Sequence, residues 1–231
     1  MLCKVADLFV EVPPVGDMEE RCKHYITQEN KKADIVIREA DFEPERWPGC
    51  SSNAVYYMET CRKFYYALPK LGGIMLHSAA VEYEGRCYLF SGPSTVGKST
   101  HTGLWRELLG EGVRFINDDK PAIRCDHGIW YAYGTPWCGK NGINENRKVP
   151  LAGICFLKQS KENKIRVLPP KEAAINVLSQ TTMRMDAVNM PYLLSIVDSL
   201  VQQVPVYELE NKPELAAAQL SYETMRAGSQ I

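Results

Sequence analysis

Gly92, Gly97, Lys98 and Ser99 stand in the order Gly-x-x-x-x-Gly-Lys-Ser, a spacing that suits phosphate chemistry and matches the P-loop signature. Glycines let a backbone turn tightly enough for successive N–H groups to point at phosphate oxygens, while the lysine reaches the β- and γ-phosphates and the serine hydroxyl binds Mg²⁺. A chain of this length carries the pattern by chance in roughly one case in a hundred, so ATP and Mg²⁺ are the expected cofactors. The expected nucleotide contacts are Gly92, Pro93, Ser94, Thr95, Val96, Gly97, Lys98, Ser99 and Thr100.

Phosphoryl transfer also needs a second metal ligand and a base near the attacking hydroxyl. The adjacent carboxylates of Asp118 and Asp119 can divide those tasks. His77 precedes the glycine-rich run, and Arg147, in Glu145-Asn146-Arg147-Lys148, offers a cation to a γ-phosphate when a loop closes. His101 is read as a helix-surface residue.

These residues need elements to position them. Residues 86–90 read as a short buried strand and 99–109 as a helix, which is the strand, loop and helix setting the signature requires. Residues 74–83 and 86–90 flank Glu84-Gly85 as a hairpin. Residues 113–116 read as a strand ending at Asn117, so that its C-terminal end delivers both aspartates to the phosphate side. Residues 121–125 and 129–133 form a second hairpin around Asp126-His127-Gly128. Residues 134–150 read as a long mobile loop, and 151–157 as a strand.

Upstream, residues 34–38 suggest a strand. A helix begins near Ser51 or Ser52, with Ala54, Met58, Cys61, Tyr65 and Leu68 on its apolar face. Downstream, helices are expected over 171–180, over 191–203 with Asn189 near its cap, and from Pro213 to about residue 226; residues 204–209 read as an edge strand. The domain expectation is a lead-in segment or small subdomain over 1–70, followed by a kinase-like domain over 71–231 with a helical tail.

Composition narrows the function classes. The chain of 231 residues has a formal net charge of −1, which argues against broad binding to nucleic acid or an anionic membrane surface. No apolar run approaches the ~20 residues a bilayer demands, and the amino terminus lacks a secretory pattern, so a cytoplasmic location is expected. Cysteines at positions 3, 22, 50, 61, 87, 125, 138 and 155 make no Cys-x-x-Cys pair. They are read as reduced structural thiols, with Cys87, Cys125 and Cys155 inside apolar strands.

Three stretches together resemble the catalytic domain of HPr kinase/phosphorylase: His77-Ser78-Ala79-Ala80-Val81, the run 90–100, and Phe115-Ile116-Asn117-Asp118-Asp119. Glu145-x-Arg147 resembles part of that family's signature segment. The resemblance spans about residues 72–157. It implies an α/β P-loop kinase fold of the HPr kinase/phosphoenolpyruvate carboxykinase type, with a mixed, strongly antiparallel sheet and flanking helices. It also implies roles: Asp118 as base toward a serine hydroxyl with His77 in support, and Asp119 with Ser99 on Mg²⁺. Ser78 stands where the family has glycine and Thr100 where it usually has glutamate. Those departures point to an HPr-kinase-like relative, a class that includes kinases of serine in modified peptides.

The function expected is therefore an ATP-dependent kinase acting on a hydroxyl of a protein, peptide or small molecule, with a homo-oligomer allowed. The alternative is a non-catalytic ATP sensor whose loop 134–150 captures a partner. A small GTPase is disfavoured, because Asn211-Lys212-Pro213-Glu214 only imitates the guanine motif.

Overall fold

The structure is a computed structural model describing residues 1–181 and 183–228; residues 229–231 of the expected helical tail lie outside the described residues. Its elements run β1 (Leu2–Val5), β2 (Leu8–Glu11), α1 (Met18–Cys22), β3 (Ile35–Val36), α2 (Ser52–Ala67), β4 (Gly73–Met75), β5 (Ser78–Tyr83) and β6 (Arg86–Ser91). They continue through α3 (Lys98–Leu109), β7 (Arg114–Asn117), β8 (Ala122–Asp126), β9 (Ile129–Tyr133), β10 (Lys148–Gln159) and β11 (Lys164–Val167). The chain closes with α4 (Pro170–Ser179), α5 (Met190–Gln203), β12 (Val206–Asn211) and α6 (Leu215–Gly228).

Apolar patterning along the strands sets the layers. On β6, Cys87 and Leu89 join one buried cluster while Tyr88 and Phe90 join another, on the opposite face, as the two-residue period of a strand requires. The second cluster is closed by Trp105 of α3 and by Ala218 and Met225 of α6. The first takes in Phe64 and Tyr65 of α2 with Val197 and Leu200 of α5. The sheet between them is mixed: β10 lies parallel to β6 and to β12, whereas β5 is antiparallel to both β6 and β7. Hence β6, β7, β10 and β12 all point their C-terminal ends to one side. The long β10 joins β9 through residues 148–150 and β12 through 154–159, so the sheet forks and curls along it.

Several expectations need correction. The run 74–83 is two strands, because Leu76 N donates to the Pro121 carbonyl (3.2 Å) and His77 N to that of Gln180 (2.8 Å), so the chain changes partners at 76–77. β12 is no edge strand; β11, which the sequence reading missed along with β1 and β2, pairs with its outer side. Residues 134–138 are buried rather than part of a mobile loop, pinned by Trp137 stacked on Phe64 at 4.6 Å, and 148–150 already belong to β10. Cys87 and Cys155 are buried, but Cys125 is exposed. The Ser51 cap holds as expected, its hydroxyl accepting Ala54 N at 3.3 Å. Among the described residues, no helix is long and apolar enough to cross a membrane.

Candidate functional site

β6 ends at Ser91 and feeds residues 92–97 into α3. Gly92 (φ 141°), Thr95 (φ 69°) and Gly97 (φ 115°) all hold left-handed backbone, conformations that glycine adopts without steric cost. A side chain at Gly92 would also meet the Leu157 carbonyl at 3.2 Å. Gly97 occupies the N-cap of α3 and supplies no side-chain cap, so the first N–H groups of a twelve-residue helix face outward at its positive end. The Lys98 ammonium folds back over the loop, donating to the carbonyls of Gly92 (2.9 Å) and Pro93 (3.2 Å). Gln159 Nε2 donates to the Thr95 carbonyl at 3.2 Å, tying the loop to the end of β10.

The double aspartate follows β7 in a turn fixed by Asn117. That side chain accepts from the backbone N–H of Asp119 (2.9 Å) and Lys120 (2.7 Å) and donates to the Thr135 carbonyl (3.0 Å). An Asn that bonds its own following backbone is a recurrent turn device. Asp118 is held from the other side: its two oxygens accept Gly139 N (2.6 Å) and Asn141 N (3.1 Å). Asp119 instead lies 3.4 Å from His77 Nε2 and pairs with Lys120. The second imidazole nitrogen of His77 is 3.3 Å from Gln180 Oε1.

The charges shape one another. Burial, then the nearby Lys98, lowers the His77 pKa against the pull of Asp119 and Gln180, which favours the neutral imidazole. Burial also lowers the Lys98 pKa, with Asp119 resisting and Lys120 adding to the effect. Burial opposes the charge on Lys120 as well, yet Tyr57, Cys61 and Asp119 outweigh it and raise the pKa, so Lys120 is a constant cation beside Asp119.

These groups line a cleft of about 470 Å³ that brings together His77, Ser94, Thr95, Gly97, Lys98, Ser99, Thr100, Asp118 and Asp119 with Gly139, Lys140 and Asn141. Gly92, Pro93 and Val96 support the loop without lining this cleft. Arg147 is elsewhere, bonded to both carboxylate oxygens of Glu82 on β5 at 2.8 and 2.9 Å. His101 corrects the surface reading: it is 1% exposed, its Nε2 2.9 Å from Ser221 Oγ, because that face of α3 packs against α6. Sequence reasoning missed Lys120, Asn117, Thr135 and Gln180. Asn117 and Lys120 flank the aspartates and carried a readable signal; Gln180 carried none.

The arrangement suits a magnesium nucleotide. A helix start without a side-chain cap, a lysine bonded to its own loop, a serine hydroxyl and two carboxylates share one cleft. Mg²⁺ is usually held by one or two carboxylates together with substrate phosphates rather than by an all-protein cage. Ser99 and Asp119 are the residues that would hold it.

A family model described as SynChlorMet cassette protein ScmC matches residues 51–212, a span that includes the glycine loop and the double aspartate. No curated protein matches the chain. Among solved structures, the chain is similar to the Hpr(Ser) kinase/phosphatase from Coxiella burnetii, with 10% identity, 66% of this chain and 93% of that chain covered, and a TM-score of 0.36.

Proposed function

We propose that this chain, which belongs to the family described as SynChlorMet cassette protein ScmC, is an ATP-dependent kinase that phosphorylates a hydroxyl, a serine of a protein or peptide or that of a small molecule. The observation that carries this reading is the shared cleft, in which Lys98 and Ser99 at the start of α3 face Asp118, Asp119 and His77. Bound MgATP would supply the phosphoryl group and neutralise charge on it. The loop N–H groups and Lys98 would hold the phosphates, and Ser99 with Asp119 would hold the metal ion.

Asp118 takes the other task. Its carboxylate faces the 139–141 backbone, and from there it accepts the proton of an acceptor hydroxyl as that oxygen attacks phosphorus and the bond to the β-phosphate oxygen breaks. His77 acts on Asp119, orienting it toward Lys98. Arg147, engaged by Glu82, has no part in this reading.

Incubation with γ-labelled ATP and candidate hydroxyl acceptors tests it. Lys98→Ala and Asp118→Asn should each lower transfer by about 10²–10⁴-fold while circular dichroism stays unchanged. Undiminished transfer by Asp118→Asn would remove Asp118 from the base position.

A further inference from the structure

We propose that Lys140 is the cation that clamps the γ-phosphoryl group of MgATP from the Asp118 side of the cleft, the task expected of Arg147. This rests on the preceding reading, that the glycine loop holds the phosphates. Charge on a transferring phosphoryl group spreads over its equatorial oxygens, and kinases meet it with cations placed around it. The basic side chains nearby differ in what they already hold. Arg147 is paired with Glu82 at 2.8 Å. Lys120 pairs with Asp119 and donates to the Tyr57 hydroxyl at 3.2 Å. Lys98 is folded onto the carbonyls of Gly92 and Pro93. Lys140 lines the same cleft, is exposed, and its side chain has no hydrogen bond or ion pair among the described residues.

The backbone places that lysine. Asp118 accepts the N–H groups of Gly139 (2.6 Å) and Asn141 (3.1 Å), the two residues that flank Lys140, so the base and the free cation share one turn. Gly142 closes the turn in left-handed backbone (φ 69°), its N–H donating to the Gly139 carbonyl at 3.1 Å. Buried Trp137 anchors the chain before the turn, and Asn144, whose Nδ2 donates to the Arg21 carbonyl at 3.0 Å, anchors it after. The backbone is thus ordered in advance, and only the flexible lysine stem remains to be ordered when a ligand arrives.

The chemistry defines what the ammonium meets. The attacked phosphorus lies between the oxygen that gives its proton to Asp118 and the β-phosphate held by the loop. Lys140, rooted in the turn that Asp118 grips, enters this interval from the base side while Lys98 enters it from the loop. The acceptor oxygen bonds to phosphorus, the bond to the β-phosphate oxygen breaks, and the proton passes to Asp118. Lys140 keeps its own proton throughout and acts as a point charge.

Calorimetric titration of the full chain with MgADP and with the Mg²⁺ complex of adenylyl imidodiphosphate, an unreactive ATP analogue that carries the third phosphoryl group, tests the assignment. A charge-assisted hydrogen bond to that group should make the wild type bind the analogue about tenfold or more tightly than MgADP. Lys140→Met should bring the two affinities within about threefold of each other and leave MgADP affinity unchanged. Lys140→Arg, which keeps the charge, should restore the preference. Equal affinities in the wild type overturn the assignment, as does a full preference retained in Lys140→Met. An equal loss of both nucleotides in Lys140→Met also overturns it, because that marks a structural role. The phosphate reading itself fails if neither nucleotide binds the wild type, or if Lys98→Ala binds both as tightly as the wild type does. If the preference is found and lost as expected while no hydroxyl acceptor takes label from γ-labelled ATP, the kinase reading fails and the clamp stands.

Discussion

Asn117 is 1% exposed and commits both ends of its amide, the oxygen to the backbone of Asp119 and Lys120 and the nitrogen to Thr135. Removing it with Asn117→Ala leaves buried polar groups unpaired, at about 1–3 kcal/mol for each one that water cannot reach. The turn that carries the two carboxylates then loses its side-chain brace. We expect a lower urea midpoint and, at temperatures where the variant is fully folded, a transfer rate that falls further than ATP affinity does, read as kcat against KM. An unchanged kcat in the folded variant would show that Asn117 serves stability alone. His77, Lys98, Asp118 and Asp119 line one cleft; the lysine and the aspartates could be picked out from type and spacing, whereas His77 stood out only through the family resemblance. Which atom meets which was not legible. That His77 sits on Asp119, and that Arg147 sits on Glu82, follows from pairings across the sheet that linear spacing does not encode.

Elements show a similar division. The hairpin turns at Glu84-Gly85 and His127-Gly128 announced themselves because all four residues take left-handed backbone, which two-residue turns demand. The break at 76–77 gave no local sign, since Pro121 and Gln180 cause it from a distance. The segment after β9 was misread because its polarity hid Trp137, whose indole is buried against Phe64. Gly134 opens that segment, and a Cβ there would lie 1.8 Å from the Glu145 carbonyl oxygen. Gly134→Ala must push two backbone stretches apart, and we expect it to cost about 1–3 kcal/mol or more, seen as a lower melting temperature.

The segment ahead of α2 is fastened to that helix by Glu59, which is buried and accepts Trp47 Nε1 (2.6 Å), Arg62 Nε (3.0 Å) and Glu43 N (3.1 Å). Burial alone would raise its pKa, but Arg62 and Trp47 outweigh that and hold it below the ordinary 4.5. A carboxylate with a depressed folded-state pKa contributes stability that is complete above the unfolded value and is lost as pH falls through the folded one. Melting temperature should therefore decline as pH drops below about 4.5, and Glu59→Gln, less stable at pH 7, should show a shallower acid decline than the wild type.

On the scale of the whole molecule, residues 1–37, part of the lead-in segment or small subdomain expected over 1–70, contribute to the main apolar cluster. Val5, Val10, Val12 and Met18 are fully buried and Tyr25 nearly so, in the cluster that also holds Phe64, Trp137 and Ile154. Polar ties reinforce the packing: Asp7 accepts Tyr133 OH (2.9 Å) and pairs with Lys148 (2.8 Å), and Tyr25 OH donates to the Asn144 carbonyl (3.1 Å). This last tie bears on the candidate site, because the chain just before Asn144 supplies the N–H groups that hold Asp118. Burying one such apolar side chain contributes about 1.5–3 kcal/mol, and a domain's net stability is about 5–15 kcal/mol. Five of them, with the surface they cover, amount to the whole margin. A chain lacking residues 1–37 should therefore show no cooperative transition in urea and no transfer activity. A urea midpoint equal to that of the full chain would contradict this, showing that β1 to β3 rest on a core that stands without them. If instead the shortened chain folds with a lowered midpoint, Gly139 and Asn141 should lose hydrogen-exchange protection before β6 and β10 do, since their anchor through Tyr25 is gone while the parallel strands remain paired.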